Sequence, residues 1–194
     1  MKYIIGIDEV GRGSLAGPVA VAAASITRGL KLRNTPIGKL KDSKKLTPKK
    51  REAWFRYAKA HSDITYEIAR VYPRSIEKIN ISNAANRAAT KALGRLIKKL
   101  GIKAGDCTVM LDGGLYLRGV NVPKARTIIR GDERYPAIKL ASIVAKVSRD
   151  RFMTKLAKKY PVYGFEIHKG YGTKAHFAAI KKHGPSKAHR LTFL

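Results

Sequence analysis

Residues 3–26 read YIIGIDEVGRGSLAGPVAVAAASI, which is two apolar runs on either side of a glycine-rich turn. The first run predicts a short buried strand from Tyr3 to Ile7 that ends at the acidic pair Asp8 and Glu9. The second run, residues 19–26, predicts another strand, although its alanine content leaves a helix as the alternative. Two strands joined by a turn fit the spacing better, and the segment therefore predicts the start of a β-sheet.

Downstream of this segment, predicted strands alternate with predicted helices. Further strands are expected at residues 63–71, 107–111 and 126–130. Helices are expected to begin at Thr47 and Pro48, and to run from a Ser82 cap to Gly101, from Pro136 to about Lys159, and from about Lys174 to His183. Strands followed by alternating strands and helices favour an α/β fold around a mixed sheet.

The composition limits the class of binding partner and the cellular compartment that are expected for this chain. The chain has 194 residues, which suits a single domain over residues 1–194, and 41 Lys and Arg against 13 Asp and Glu give a net charge of +28. Such a charge favours nucleic acid as the partner, with an anionic membrane surface as the alternative. The one cysteine, Cys107, excludes an internal disulfide and a thiol-based metal site. Because no apolar run is long enough to span a membrane, a cytoplasmic protein is expected, with a monomer as the default.

The few acidic residues stand where strands are predicted to end. Asp8 with Glu9, Asp112, and Asp132 with Glu133 each follow an apolar strand-like run. If those strands are neighbours, the carboxylates converge beyond the strand ends, where α/β sheets bind ligands. A divalent cation such as Mg²⁺ or Mn²⁺ would relieve their mutual repulsion. Two such ions about 4 Å apart form the arrangement that hydrolyses phosphodiesters.

Two of these positions are ambiguous. Neighbouring residues on an extended strand point to opposite faces. Asp8 and Glu9 therefore share one site only if the strand ends or bends there, or if one of them ligates through its backbone carbonyl. Asp132 and Glu133 raise the same question, and Asp132 is the preferred ligand. The alternative for all these acids is that they cap turns or form ion pairs with nearby arginines, at positions 12 and 134.

Two loops carry residues that suit a nucleic acid. Gly11, Arg12 and Gly13 would let a backbone and a charged donor approach a phosphate or sugar closely, and the alternative is an ordinary tight turn. A dinucleotide-binding loop is disfavoured, because the next glycine, Gly17, comes one residue late and a strand rather than a helix follows. The segment HKGYGT at residues 168–173 includes Tyr171, whose ring would suit stacking on a base or sugar; alternatively, this ring packs over the last helix.

Other functional classes have less support. The five histidines show no zinc-binding spacing and are expected to lie mostly at the surface or to face nucleic acid. A non-catalytic basic nucleic-acid-binding protein is the alternative function, which composition alone would favour. The placement of scarce acids at strand ends argues against it, because a pure binding protein has no reason to keep them in a positive groove.

The longer motifs resemble those of one family. GIDEVGRG at residues 6–13, followed by AGP, is similar to the opening signature of ribonuclease HII, the type 2 ribonuclease H. The resemblance continues, in the family's order, through DSKKL at residues 42–46, LDG at 111–113, GD at 131–132, ASIVAKVSRD at 141–150, HKGYGT at 168–173 and HR at 189–190. It thus covers essentially the whole chain.

This resemblance implies both a fold and an activity. The fold would be ribonuclease H-like, with a central mixed five-stranded sheet flanked by helices and a helical C-terminal part, at about residues 160–194, that contributes to substrate binding. The activity would be cleavage of the RNA strand of RNA/DNA hybrids and incision 5′ of single ribonucleotides embedded in duplex DNA. The resemblance further implies two-metal-ion hydrolysis with Mg²⁺ or Mn²⁺, which leaves 5′-phosphate and 3′-hydroxyl ends.

The resemblance also assigns roles to individual residues. The family's catalytic, metal-binding carboxylates correspond to Asp8, Glu9, Asp112 and Asp132. The loop of Gly11, Arg12 and Gly13 corresponds to the element that senses the ribose 2′-hydroxyl. Tyr171 corresponds to the tyrosine that stacks at the RNA–DNA junction. The 2′-hydroxyl is the chemical group that distinguishes the two sugars, so a backbone close to it is physically reasonable.

Overall fold

A computed structural model describes residues 2–32 and 35–194. Its strands are Tyr3–Val10 (β1), Val19–Thr27 (β2), Ile64–Val71 (β3), Cys107–Asp112 (β4) and Ala125–Ile128 (β5). Its α-helices are Pro48–Ala60 (α1), Pro73–Ile79 (α2), Ile81–Leu100 (α3), Gly131–Arg134 (α4), Pro136–Lys159 (α5), Phe165–His168 (α6) and Lys174–His183 (α7). Short 3₁₀ helices occur at Ser43–Lys45, Ala104–Asp106, Pro161–Tyr163 and Leu191–Phe193.

The five strands form one mixed sheet in the order β3-β2-β1-β4-β5. The pairs β1–β2 and β2–β3 are antiparallel, whereas β1–β4 and β4–β5 are parallel. Ile7 of β1 lies opposite Leu111 of β4, and Asp112 lies opposite Ile128 of β5. The carboxyl ends of three neighbouring strands therefore meet at the same edge of the sheet, as the acidic positions predict.

Helices cover both faces of the sheet. On one face, a row of small side chains on α3, including Ala85 and Ala89, packs in the same core cluster as Ile5 of β1. On the other face, Trp54 of α1 and Val144 of α5 share a cluster with Ala22 and Ala24 of β2. A smaller cluster joins α5 to the C-terminal segment. The sequence prediction of an α/β fold with a five-stranded mixed sheet is confirmed.

Gly6 allows α5 to lie directly on β1. A Cβ atom at this position would be 2.1 Å from the carbonyl carbon of Ala137 and 2.2 Å from the backbone nitrogen of Ile138. Because side chains alternate along a strand, Asp8 lies on the same face as Gly6, beside α5, and Glu9 lies on the other face. The beginning of α5 thus forms one wall around Asp8.

Several predicted boundaries are wrong, and each has a local cause. β1 does not end at Ile7, because Glu9 and Val10 continue the pairing with β2. β5 ends at Ile128 rather than at residue 130, since Arg130 takes a left-handed backbone with φ 54° that leads into α4. Ser82 does not cap α3; the side chain of Asn80 accepts the hydrogen bond from the N–H of Asn83, at 2.9 Å.

Other predicted helix ends are confirmed. Thr47 caps α1, with its hydroxyl accepting from the N–H of Lys50 at 3.3 Å, and α5 and α7 have the predicted limits. α2 is an addition that the sequence patterns did not predict. Among the described residues, no helix has the length and apolar character needed to cross a membrane.

Candidate active site

Three aspartates meet at the edge of the sheet where β1, β4 and β5 end. Asp8, Asp112 and Asp132 each offer a carboxylate oxygen, and these oxygens all lie within 4.8 Å of one another. The pairing of β1 with β4 brings Asp8 next to Asp112, and the turn after β5 brings in Asp132. We call these three residues the aspartate cluster.

Asp132 reaches the cluster because Gly131 lets the start of α4 pack closely against Ile138 and Asp112. Oδ1 of Asp112 accepts a hydrogen bond from the backbone N–H of Asp132 at 3.1 Å. A Cβ atom at Gly131 would lie 2.4 Å from Cδ1 of Ile138 and 3.2 Å from Oδ1 of Asp112, so a larger residue would push this segment away from the cluster. Glu133, the neighbouring acid, is exposed and pairs with Lys45 at 2.9 Å. The structure therefore brings Asp132, and not Glu133, to the cluster.

The charged form of the carboxyl groups in the aspartate cluster is destabilised by burial and by mutual repulsion. Burial raises the pKa of Asp8 well above its usual value, and the charges of Glu9 and Asp112 raise it further. Burial and the charge of Asp112 also raise the pKa of Asp132. A group of repelling, partly desolvated carboxylates is stabilised by a cation between them, and oxygen ligands of this kind suit Mg²⁺ or Mn²⁺.

Glu9 lies next to the cluster on the other face of β1. Burial raises its pKa, against the opposing effect of Arg12, whose Nη1 lies 3.6 Å from Oε1. Oε2 of Glu9 is buried and has no hydrogen-bond partner among the described residues. The ion pair with Arg12, which is the alternative to a metal site, thus exists, but it leaves one carboxylate oxygen of Glu9 without a partner. Arg134, the other candidate partner for the acids, instead places its guanidinium over the ring of Tyr135, 5.6 Å from the centroid.

Hydroxyl groups from α5 and from the segment before α1, together with a lysine of that segment, lie around the cluster. The hydroxyl of Ser142 on α5 lies close to the carboxyl group of Asp8 and lowers its pKa, against the larger effect of burial. Oγ of Ser142 lies 2.8 Å from Oγ of Ser43. Lys44 follows in the same 3₁₀ helix. Burial lowers the pKa of Lys44, but the carboxylates of Asp42 and Asp132 outweigh this effect and raise it. A charged ammonium is therefore held beside the aspartates.

The glycine loop between β1 and β2 is held by two buried arginines that the sequence analysis did not single out. Arg190 donates to the carbonyls of Gly11, Arg12 and Gly17 at 2.7, 2.9 and 3.0 Å. Gly11 has φ 83°, and a Cβ atom there would lie 2.1 Å from Nε of Arg149. Such a position requires glycine.

Arg149 joins this loop to the segment that carries Tyr171. Its guanidinium donates to the carbonyls of Pro18, Ala16 and Lys169 at 3.0, 3.1 and 2.9 Å. Both arginines lie in motifs quoted above, at 141–150 and 189–190, but nothing local to either motif indicates a carbonyl partner so distant in the chain.

The predicted substrate-contacting residues lie at the surface of this arrangement. Arg12 is half-buried and donates from Nη2 to Oγ of Ser82 at 2.8 Å, and Gly13 is exposed. Tyr171 is half-buried, with its ring 5.4 Å from Cζ of Arg149 and 5.8 Å from Nζ of Lys146. The ring thus lies against cations of α5, whereas Phe177 of α7 packs near Gly172.

Two of the five histidines, which are expected to lie mostly at the surface or to face nucleic acid, are buried in the structure. His176 and His189 are 0% and 3% exposed. They lie 3.1 Å apart, Nε2 to Nε2. Their sequence positions, 13 residues apart in separate elements, carry no local pattern that would reveal this contact.

Comparisons with known proteins agree over the whole chain. A protein-family model described as Ribonuclease HII matches residues 5–194. The ribonuclease HII of Caldicellulosiruptor saccharolyticus is 44% identical over 193 residues, which cover 100% of this chain and 87% of that protein. The ribonuclease HII of Pelagibacter ubique is 45% identical over 195 residues, covering 100% of this chain and 96% of that protein.

Solved structures are similar in fold. The ribonuclease H2 of Pyrococcus horikoshii OT3 superposes with a TM-score of 0.75 at 28% identity, over 98% of this chain and 93% of that one. Bst-RNase HIII in complex with Mn²⁺ superposes with a TM-score of 0.71 at 18% identity, over 98% of this chain and 66% of that one. The fold is therefore ribonuclease H-like.

Proposed function

Because this chain belongs to the ribonuclease HII family and is thus a ribonuclease H, a hydrolase that acts on nucleic acid, we propose a specific reaction for it. It cuts the RNA strand of RNA/DNA hybrids and incises duplex DNA on the 5′ side of a single embedded ribonucleotide, leaving 5′-phosphate and 3′-hydroxyl ends. The observation that carries the proposal is the aspartate cluster within a chain of net charge +28. A purely basic binding protein, the alternative considered from composition, does not fit membership of this family.

Three features of the site favour the binding of a divalent cation. The carboxylate oxygens of the aspartate cluster lie close together, the pKa values of Asp8 and Asp132 are raised by burial and mutual repulsion, and the neighbouring Oε2 of Glu9 is buried without a partner. Asp8, Asp112 and Asp132 would hold Mg²⁺ or Mn²⁺ through their side chains, with two ions during hydrolysis. Glu9, whose side chain lies on the other face of β1, would join them through its backbone carbonyl. Ions bound there would supply Lewis-acid activation of water and neutralise charge at the scissile phosphate.

The chain's own side chains would place the phosphate and the sugar. The ammonium group of Lys44 is charged and lies beside the cluster. It would attract the phosphate and leave the carboxylates free to bind the metal ions. Ser142 on α5 lies close to the carboxyl group of Asp8 and favours its charged form. These contacts would hold the scissile phosphate in a fixed position relative to the carboxylates before hydrolysis. Such positioning raises the rate, because the reacting groups already have the required geometry.

The glycine loop would distinguish ribose from deoxyribose. Arg190 donates hydrogen bonds to the carbonyls of Gly11 and Arg12, which therefore point towards the protein interior. Gly13 is exposed and has no side chain, so a sugar can approach its backbone closely. Tyr171 would stack at the RNA–DNA junction, with the cations of α5 behind its ring. The surrounding C-terminal segment, at about residues 160–194, would contribute to substrate binding as part of a single domain. We expect a cytoplasmic monomer.

A cleavage assay tests this function. The substrates are an RNA/DNA hybrid, a DNA duplex with one ribonucleotide and an all-DNA duplex, each incubated with Mg²⁺, Mn²⁺ or EDTA. Cutting of the first two substrates with either metal, and of none with EDTA, is expected. Tight binding without cleavage under any metal, or cutting of the all-DNA duplex at a similar rate, would overturn the proposal.

A further inference from the structure

Three histidines, two of them buried, form a cluster behind the loop of Tyr171. His176 is stacked on His168, with ring centroids 4.3 Å apart, and Phe165 packs edge-on to His176 at 5.6 Å. His189 lies edge-on to Tyr163, with ring centroids 4.7 Å apart. None of these histidines has a role in the proposed hydrolysis.

The hydrogen-bond partners of the two buried histidines determine where each proton lies. Nδ1 of His176 lies 3.0 Å from the carbonyl oxygen of Tyr171, which only accepts, so this nitrogen carries the proton. Nδ1 of His189 lies 2.9 Å from the backbone nitrogen of Ser186, which only donates, and 2.9 Å from Oγ of Ser186, which can donate as well. Because the backbone N–H needs an acceptor here, this nitrogen is unprotonated.

The contact between the two rings agrees with both assignments. A neutral His176 protonated at Nδ1 accepts at Nε2, and a neutral His189 unprotonated at Nδ1 donates from Nε2. The two Nε2 atoms, 3.1 Å apart, therefore form one hydrogen bond from His189 to His176. Adding a proton to either ring would place two donors against each other, at this contact or at Ser186. Both histidines are thus neutral in the folded protein.

The result is a directed chain of hydrogen bonds from the C-terminal segment to Tyr171. It runs from the N–H of Ser186 to His189, from His189 to His176, and from His176 to the carbonyl of Tyr171. On the other side of Tyr171, the carbonyl of Gly170 accepts from the N–H of Leu15, at 2.9 Å, in the glycine loop. Tyr171 is therefore held between the glycine loop and this histidine chain.

We propose that His176 and His189 are positioning residues that fix Tyr171 through its carbonyl, and so set the specificity for a ribonucleotide. The inference rests on the proposed function, in which the ring of Tyr171 contacts the junction. A ring that stacks on a substrate needs to be held to about half an ångström to contribute fully. Neither histidine touches the substrate in this account.

Two different substitutions of His189 distinguish the effect of its contact with His176 from that of its contact with Ser186. His189→Gln places an amide nitrogen where Nε2 stood and keeps a donor for His176. His189→Asn is shorter, so it keeps an acceptor for Ser186 but does not reach His176. We expect His189→Gln to cut the single-ribonucleotide duplex at close to the wild-type kcat/KM, and His189→Asn to lose up to about tenfold, the effect of one hydrogen bond.

A double-mutant cycle with Tyr171→Ala tests whether the loss acts through Tyr171. If His189 positions the ring, His189→Asn costs little more once the ring is removed. Equal losses in both backgrounds would overturn the inference, because they indicate a general structural role. If Tyr171→Ala itself cuts as fast as wild type, the proposed role of Tyr171 is overturned and the inference fails with it.

A spectroscopic measurement on the wild-type protein tests the assignment without any substitution. Nitrogen-15 NMR of the imidazole rings at pH 7 is expected to show His176 protonated at Nδ1 and His189 protonated at Nε2. Either ring in the charged form, or the opposite tautomer in either residue, would overturn the inference whatever the cleavage assays give.

Discussion

Asp132 donates its backbone N–H to Oδ1 of Asp112 at 3.1 Å, so one member of the aspartate cluster positions the next. The contact depends on Gly131, whose missing side chain lets α4 begin directly against Asp112 and Ile138. The spacing of the cluster is thus set by backbone packing at the start of α4 and α5, as well as by the sheet.

Gly131→Ala is expected to lower cleavage by about 10²-fold, because displacement of a catalytic group by about 1 Å has an effect of this size. The added Cβ would meet Ile138 and Asp112. The control is Gly94→Ala in α3, where a Cβ meets nothing within 4 Å, and this variant should cut normally and gain about 0.5–1 kcal/mol in stability. Cleavage rate and thermal unfolding of both variants provide the check, and full activity of Gly131→Ala would contradict the account.

Asp8→Asn is expected to abolish cleavage while duplex binding is retained or improved. The substitution removes a buried carboxylate whose pKa is raised by burial, Glu9 and Asp112, so the metal-free protein should also unfold at a higher temperature. Glu133→Gln is the matched control, because this exposed acid pairs with Lys45 and lies outside the cluster. Loss of duplex binding in Asp8→Asn, or an equal loss of cleavage in Glu133→Gln, would count against a catalytic role for Asp8.

A basic groove beside the start of α5 is expected to bind the nucleic-acid backbone. Its lining includes Lys31, Lys39, Arg134 and Lys139. Burial and the nearby charge of Lys39 lower the pKa of Lys139. The charged form of Lys139 is thus destabilised in the free protein, and a phosphate bound in the groove would stabilise it. Lys139→Ala should weaken binding to any duplex and reduce the slope of log affinity against log salt by about 1.

Fluorescence anisotropy at several salt concentrations measures this slope. Lys99→Ala is the control, since its ammonium is already paired with Glu67 at 2.9 Å, and we expect its slope to match the wild type. Identical slopes for the two variants would refute phosphate binding in the groove.

Acidification is expected to weaken the fold through His189. Burial and the neighbouring His176 lower the pKa of His189 to about 4, against about 6.5 in an unfolded chain; His168 and Tyr163 also face this ring. The unfolded state therefore binds the proton more readily, so this stabilisation is complete above pH 6.5 and is lost as the pH falls towards 4.

Carboxyl groups with raised pKa values, those of Asp8, Glu9 and Asp132, act in the opposite direction. The histidine contribution is therefore measured as a difference in the free energy of unfolding between the wild type and His189→Gln. Urea unfolding between pH 7 and pH 4 should show the wild type losing stability relative to the variant. Parallel curves for the two proteins would contradict the prediction.

The sequence predicts the sheet and the aspartates because both depend on local signals. Apolar runs that stop at rare acids indicate strand ends, and parallel neighbours bring those ends together. The roles of Arg149 and Arg190 have no such signal, since they donate to carbonyls more than 130 residues away in the chain. Likewise, the contact of His176 with His189 exists only once α7 and the C-terminal segment have packed. Such non-local hydrogen bonds give no periodicity that a sequence pattern would reveal.

The central claim is that the aspartate cluster and the glycine loop together cut next to one 2′-hydroxyl. Two duplexes that differ only in this hydroxyl group test it most directly, with the cut position and the chemistry of both ends mapped in the presence of Mg²⁺. The account predicts a cut on the 5′ side of the ribonucleotide, with a 3′-hydroxyl and a 5′-phosphate, and no cut in the deoxy duplex. A 2′,3′-cyclic phosphate, or equal cutting of both duplexes, would contradict it.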